Sequence, residues 1–360
     1  MELKKLKQHI RTLASLEESE ALVISCYLNL EGGIGGFRET FNKRVGMLQR
    51  AIRQEHRQPF VASLQRIDAC IQKELDPKAR GVAVFARDGN QPFFLPLQFR
   101  VPLPTWVAAD ATPNIYHLVE LKDTYHRYVV MLCAAERMRI LEINLGSVTA
   151  QVWKDRPELR KRVGREWTKR HYQNHRRERT NRFVTEMTEI LNQRMSAGGY
   201  EHLILTGSPR ITARVRDALP KHLADKVVDS LVASQHDPVP DVVEATLSSF
   251  IEVERRESLS MVELLLQEVQ RDGLAVAGRQ ASLAALKKGQ VDVLVLAKEH
   301  DCDAREEMAQ LAEQAGCRIE TVEQSNPLML LGGVGCLLRY RTRGFDAPSS
   351  EGPICEARSA

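Results

Sequence analysis

The sequence predicts an α/β protein built as three consecutive α/β domains. Three observations carry this. Strand-like apolar runs alternate with segments of helical period along most of the chain. Proline clusters interrupt the alternation twice, at Pro102, Pro104 and Pro113 and again at Pro238 and Pro240. The 360 residues exceed one ordinary core, and 43% hydrophobic residues suffice for several.

The first block covers residues 1–118. Leu22 to Leu30 (LVISCYLNL) reads as a strand, and Gly32 to Gly36 as a flexible loop. Phe41 to Leu75 has helical period with a break expected near Pro59. Gly81 to Ala86 (GVAVFA) is a second strand, and Arg87-Asp88-Gly89-Asn90 is a hairpin signal leading into Phe93 to Leu97. The following prolines read as a linker.

The second block covers 119–236. Tyr128 to Cys133, Met138 to Ile143 and Val148 to Trp153 read as strands, the middle one with the imperfect alternation of a sheet covered on both faces. A long polar stretch follows, and helical period is expected from Arg182, where Phe183, Met187, Ile190 and Leu191 share a face. Gly198-Gly199 caps that helix. His202 to Thr206 is a buried strand, and Gly207-Ser208-Pro209 turns into a further helix, which makes a βαβ-like unit with a parallel pair.

The third block covers 237–343. Val242 to Val269 and Ala281 to Lys288 read as helices, Val291 to Ala297 as a strand, Arg305 to Ala315 as a helix and Arg318 to Val322 as a strand. Gly332-Gly333-Val334-Gly335 leads into a last strand. Residues 344–360, rich in Gly, Pro, Ser and Glu, are expected to be a disordered tail.

Composition excludes several classes. There are seven cysteines and no CxxC pair, so a disulfide framework or a cysteine zinc site is not expected and a reducing cytosol fits. No apolar run approaches the roughly 18–20 residues of a membrane span, and Met1 to Ser15 lacks an apolar signal core. A cytoplasmic monomer without membrane contact is expected.

The charge distribution says more than its total. Residues 154–182 hold twelve Lys or Arg against four Asp or Glu, a net charge of +8, whereas the whole chain carries +4. Nine of the twelve are arginine. Guanidinium groups pair bidentately with phosphate, and each neutralised phosphate releases counterions. Aromatic and imidazole rings interleaved with the charges can stack on unpaired bases. The residues expected to contact RNA are Arg165, Trp167, Lys169, Arg170, His171, Tyr172, Gln173, Asn174, His175, Arg176, Arg177, Arg179 and Arg182. The competing reading is a solvated helix face, which the i,i+4 pairs Glu158–Arg162 and Glu166–Arg170 would suit.

No catalytic pattern stands out. The histidines form no HxH or HExxH set, and there is no GxSxG elbow and no Walker A lysine loop. Gly332-Gly333-Val334-Gly335 imitates a phosphate cradle but leads into a strand rather than a helix, so a tight turn is expected there. No cofactor and no metal are expected.

The ordered segments resemble the archaeal and eukaryotic class-1 peptide release factors and Pelota, and more narrowly the bacterial archaeo-eukaryotic release factor families. In the second block the resemblance rests on the strands around Tyr128 to Ile143, the basic segment, Arg182-Phe183 and LILTGSP at Leu203 to Pro209. In the third it rests on Gly273 to Gly278, Ala281 to Leu286, Val291 to Leu296 and Gly332 to Tyr340. The strands LVISCYLNL and GVAVFA resemble the N-terminal domain of the bacterial branch. About residues 20–342 are covered.

The resemblance implies release-factor-like central and C-terminal domains and binding to ribosomal RNA of the A site and peptidyl-transferase centre, with elongation factor Tu as a candidate partner. Two departures qualify it. The Gly-Gly-Gln tripeptide that places the hydrolytic water in release factors is absent, since Gly-Gly occurs at 32–33, 35–36, 198–199 and 332–333 and never precedes Gln. The Asn-Ile-Lys-Ser that reads stop codons is absent too. The expectation is a non-enzymatic hibernation or protection factor. The alternative is a peptidyl-tRNA hydrolase or RNA-cleaving rescue factor, with Gln173 or the His171/His175 pair acting.

Overall fold

The computed structural model describes residues 2–89, 91–156, 169–234 and 236–340. Three sheets follow one another along the chain, each with helices packed on it.

The N-terminal part runs α1 (Leu3–Ala14), β1 (Val23–Asn29), α2 (Gly33–Ala51), α3 (Arg57–Lys73), β2 (Gly81–Arg87), β3 (Phe93–Phe99), β4 (Trp106–Asp110) and α4 (Tyr116–Thr124). Its four strands form an antiparallel sheet in the order β3-β2-β1-β4. Period-two alternation sends Ile24, Cys26 and Leu28 of β1 to one face, where Phe37, Phe41, Phe60 and Ile67 of α2 and α3 cover them. Tyr27, Phe85 and Phe99 face the other way, toward α4.

Three expectations change here. The glycine run is helical from Gly33, because Phe37 and Phe41 anchor that helix in the core and outweigh the helix-breaking tendency of glycine. The helical break falls at Ile52, which is extended. Pro59 instead sits in the first turn of α3, where its missing N–H costs nothing. The proline-rich stretch contains β4, which pairs with β1 from Val23↔Asp110 to Tyr27↔Trp106.

The central part runs β5 (Tyr128–Cys133), β6 (Arg137–Asn144), β7 (Ser147–Asp155), α5 (Lys169–Gly198), β8 (His202–Gly207), α6 (Pro209–Ala218), α7 (Lys221–Ala224) and β9 (Val227–Val232). The sheet order is β7-β6-β5-β8-β9. β5, β6 and β7 form an antiparallel meander, while β5, β8 and β9 are parallel, with α6 in the crossover. One face is covered by α5 and α6 through Phe183, Met187, Leu191, Ile211 and Val215. The opposite face, with Tyr128, Val130, Leu141 and Ile143, packs in the larger core beside Val242, Leu247 and Phe250 of the following helix. Both faces are thus buried, which is why the alternation of β6 is imperfect.

That following helix is α8 (Val239–Gln270). After it come β10 (Ala275–Ala277), α9 (Arg279–Lys287), β11 (Val291–Ala297), α10 (Cys302–Gln314), β12 (Arg318–Val322), α11 (Asn326–Leu330) and β13 (Val334–Leu338). The sheet order is β10-β13-β11-β12, with β11 and β12 parallel. The 32 residues of α8 span about 48 Å. Phe250 packs with the central sheet, whereas Val262 and Leu265 pack with Val293 and Val295 of the last sheet. One helix therefore serves two cores. Gly332 and Gly333 take positive φ and form the tight turn into β13.

Helix α4 is fastened to the last part by buried carboxylates. Glu306 of α10 accepts the N–H groups of Ile115 and Tyr116 at 2.7 and 2.9 Å, which satisfies the orphan donors at the start of α4. Asp123 accepts from the N–H and Oγ1 of Thr321 at 2.6 and 2.7 Å. Helix α1 turns Leu6, Ile10 and Leu13 into the same core, and Gln314 donates to its Ala14 carbonyl at 2.8 Å. The described cysteines Cys26, Cys70, Cys133, Cys302, Cys317 and Cys336 are free thiols. No described helix is long and apolar enough to cross a membrane. The expected tail, 344–360, lies outside the described residues.

Candidate RNA interface

The segment read as one basic loop, 154–182, is not a loop throughout. Strand β7 runs through Asp155, and α5 begins at Lys169, thirteen residues ahead of the expected helix start at Arg182. The reason lies in the signal used. Helical period is visible only where an apolar stripe packs on something. The sequence of the first turns of α5 offers no apolar stripe, yet Lys, Arg, Gln and Glu are good helix formers, and neither Gly nor Pro occurs between Arg165 and Ala197.

The helix divides at Thr180, the first of its described residues to be buried. Beyond it Phe183, Val184, Met187, Leu191 and Met195 fill the core. The end is a Schellman motif: Gly199 adopts φ +62°, Tyr200 N–H donates to Met195 O at 3.1 Å, and both side chains join the same core. Ahead of Thr180, Asn174, His175, Arg177 and Glu178 are exposed and Arg179 is half-buried. The eleven residues from Lys169 to Arg179 amount to about 16 Å of helix in front of the packed body. Arg182, just past the division, is also exposed.

The structure thus puts Lys169, Arg170, His171, Tyr172, Gln173, Asn174, His175, Arg176, Arg177, Arg179 and Arg182 on one continuous helix. For Lys169 to Gln173 and for Arg176 only the backbone is described, and their side chains lie outside the described ones. Arg165 and Trp167 lie outside the described residues altogether.

The base of the segment is clamped. Arg156 donates to Thr180 Oγ1 at 2.9 Å and lies 3.5 Å from the Glu136 carboxylate. Lys154 pairs with Glu186 of α5. These two cations of the basic segment hold strand β7 to the helix and are committed to the fold.

Two features escaped the sequence reading. Trp153, on the edge strand β7, is 58% exposed, and the Arg137 guanidinium stands 5.7 Å from its ring centre. An exposed indole at the foot of the basic segment offers a stacking face for a base. The period-two alternation of β7, with Gln151, Trp153 and Asp155 all outward, carried that signal. On α1, Lys4, Lys7 and Arg11 line a shallow groove with Gln8 and Thr12. Burial depresses the Lys7 ammonium, and the nearby Lys122 and Arg127 cations depress it further. Its spacing of i, i+3, i+7 was legible as a helix face, but the cations from α4 and the loop after it join only through folding.

Residues 113–250 match the model of bacterial archaeo-eukaryotic release factor family 10. No curated protein matches the chain. Among solved structures, the chain is similar to Archaeoglobus fulgidus Pelota at 12% identity and a TM-score of 0.40, over 95% of this chain and 93% of that one. It is similar to an S. cerevisiae translation termination-like factor involved in RNA quality control at 12% identity and a TM-score of 0.43, over 74% and 82%. It is also similar to an archaeal translation termination factor at 14% identity and a TM-score of 0.29, over 94% and 99%. The matched segment holds α4, the whole central sheet, the basic helix and the first part of α8, and over this segment the chain is similar to bacterial archaeo-eukaryotic release factor family 10.

Proposed function

We propose that the protein is a ribosome-binding translation factor of release-factor type that enters the A site and carries its basic helix to the peptidyl-transferase centre. There it protects idle ribosomes and does not hydrolyse peptidyl-tRNA. The observation that carries this reading is the arginine-rich first part of α5, whose described residues Asn174, His175, Arg177 and Glu178 are exposed ahead of the packed part of the helix. Its guanidinium groups suit phosphates, its rings suit unstacked bases, and its rigid helical form reaches farther inward than a collapsed loop would. The match of residues 113–250 to a release factor family supports a ribosomal target.

The chemistry supports occupancy rather than cleavage. Paired glycines are what let a release-factor tip adopt the backbone that places water, and the positions ahead of Gln173 here are His171 and Tyr172 in a helix. In this proposal the ribosomal RNA of the A site and peptidyl-transferase centre is the partner. Elongation factor Tu is the candidate delivery partner, and the protein acts as a cytoplasmic monomer.

The test is co-sedimentation of the purified chain with vacant ribosomes, beside a peptide-release assay on ribosomes holding labelled peptidyl-tRNA. Saturable binding that blocks A-site ligands, with no released peptide, is the expected outcome. Absence of binding at low salt sinks the proposal, and release of peptide sinks its non-enzymatic part.

A further inference from the structure

We propose that His202, Glu254 and Glu257 form a binding site for a first-row divalent cation of the zinc or manganese kind, at the junction of the central sheet and α8. His202 is the first residue of β8, whereas Glu254 and Glu257 lie one turn apart on α8. One ligand atom from each gathers within 4.8 Å of the others. His202 Nδ1 stands 3.5 Å from Glu254 Oε1, and its Nε2 stands 3.6 Å from Glu257 Oε1. These contacts use different ring nitrogens, so a single ion takes one of them, and the donors, within 4.8 Å of one another, close toward the roughly 3.3–3.6 Å kept by ligands about 2.0–2.2 Å from a tetrahedral ion.

The state of Glu254 points to a ligand. Its side chain is nine-tenths buried, yet Oε1 makes no hydrogen bond among the described residues. Its other oxygen, Oε2, is engaged by His126 Nδ1 at 3.1 Å. A carboxylate oriented through one oxygen by a histidine and aimed with the other at an imidazole and a second carboxylate has the arrangement of a ligand backed by an outer partner. The aromatic surroundings add to the argument. The Phe250 ring lies 5.4 Å from the His202 ring and stacks on Tyr128 at 4.4 Å. A buried carboxylate against such a wall is costly unless a cation compensates it. A second carboxylate one turn away increases that need, and a single divalent ion neutralises both.

Mixed imidazole and carboxylate donors select a first-row transition ion or zinc over calcium or magnesium, which favour all-oxygen sites. Glu257 is half exposed, so water completes the coordination from the solvent side. The site lies between Phe250, which packs on the central sheet, and Val262, which packs on the last one. A bound ion therefore pins the midpoint of α8 to β8 and fixes how the central domain is carried.

The test uses the full chain, free of any histidine tag and stripped with EDTA, titrated calorimetrically with zinc chloride and with manganese chloride. One ion per chain is expected, with a thermal midpoint that rises with free ion. Glu257→Gln changes a half-exposed residue and keeps the fold, and should lower the affinity at least tenfold and abolish the thermal rise. His126→Gln should lower affinity by about 10- to 100-fold, the usual effect of losing an outer partner. Failure of both ions to bind at one per chain overturns the proposal and leaves an imidazolium bridging two carboxylates. Binding that survives unchanged in Glu257→Gln also overturns it, because the ion then sits elsewhere, for instance on a free thiol.

Discussion

Replacing Arg177 and Arg182 together with alanine tests the basic helix where its side chains are described. Both are exposed, and neither contributes to the core that begins at Thr180 and Phe183. Surface changes of this kind alter stability by no more than about 0.5 kcal/mol. If each guanidinium neutralises one ribosomal phosphate, each contributes about 0.7–0.9 to the slope of log affinity against log salt. The double substitution should then make that slope shallower by about 1.4–1.8. Near 0.1 M salt it should weaken binding by roughly 25- to 60-fold, and the deficit should shrink as salt rises. The assay is equilibrium binding of fluorescently labelled protein to vacant ribosomes over a monovalent salt series at fixed magnesium, with a thermal melt of each variant. Affinity within twofold of the parent at low salt, with an unchanged slope, would refute the assignment of these arginines to RNA phosphate.

Other predictions follow the same geometry. Trp153→Ala should lower ribosome affinity by about 1–3 kcal/mol if the indole stacks on a base, while the thermal midpoint stays unchanged; an unaltered binding curve removes Trp153 from the interface. Met187→Ala, at a fully buried position under α5, should destabilise the fold by about 2–5 kcal/mol in urea unfolding; a loss below 1 kcal/mol would mean that α5 is not packed as described. Burial pushes the Glu306 carboxyl up to about 7 and raises that of Asp123 as well. Between roughly pH 4.5 and pH 7 the folded state then holds protons that the unfolded state has released, so these two groups make stability fall as pH rises through that window. Glu306→Gln keeps one acceptor for the α4 N–H groups, and should flatten that decline in urea melts at stepped pH while lowering stability overall.

The sequence by itself determined the alternation of strands and helices, a parallel strand pair in the second block and the place where positive charge concentrates. Runs such as LVISCYLNL and VDVLVLA need no neighbour to be read as strands, because their β-branched and apolar residues suit a buried pleated surface. The Gly198-Gly199 cap was legible for a similar local reason, since a left-handed residue ends a helix wherever it falls. The helical form of Lys169 to Asn181 was not legible, because amphipathic period needs a recurring apolar stripe and this stretch of sequence is polar almost throughout.

Only the tertiary structure decided which charges are committed and which face outward. Arg156 and Lys154 look no different in sequence from Arg177, yet they are spent on Thr180, Glu136 and Glu186, partners 20 to 32 residues away. Trp153 became a candidate contact once the sheet order left β7 at an edge. His202, Glu254 and Glu257 lie more than fifty residues apart in two groups, and no spacing rule joins them. Folding does so, because α8 crosses the central sheet with Glu254 facing the first residue of β8.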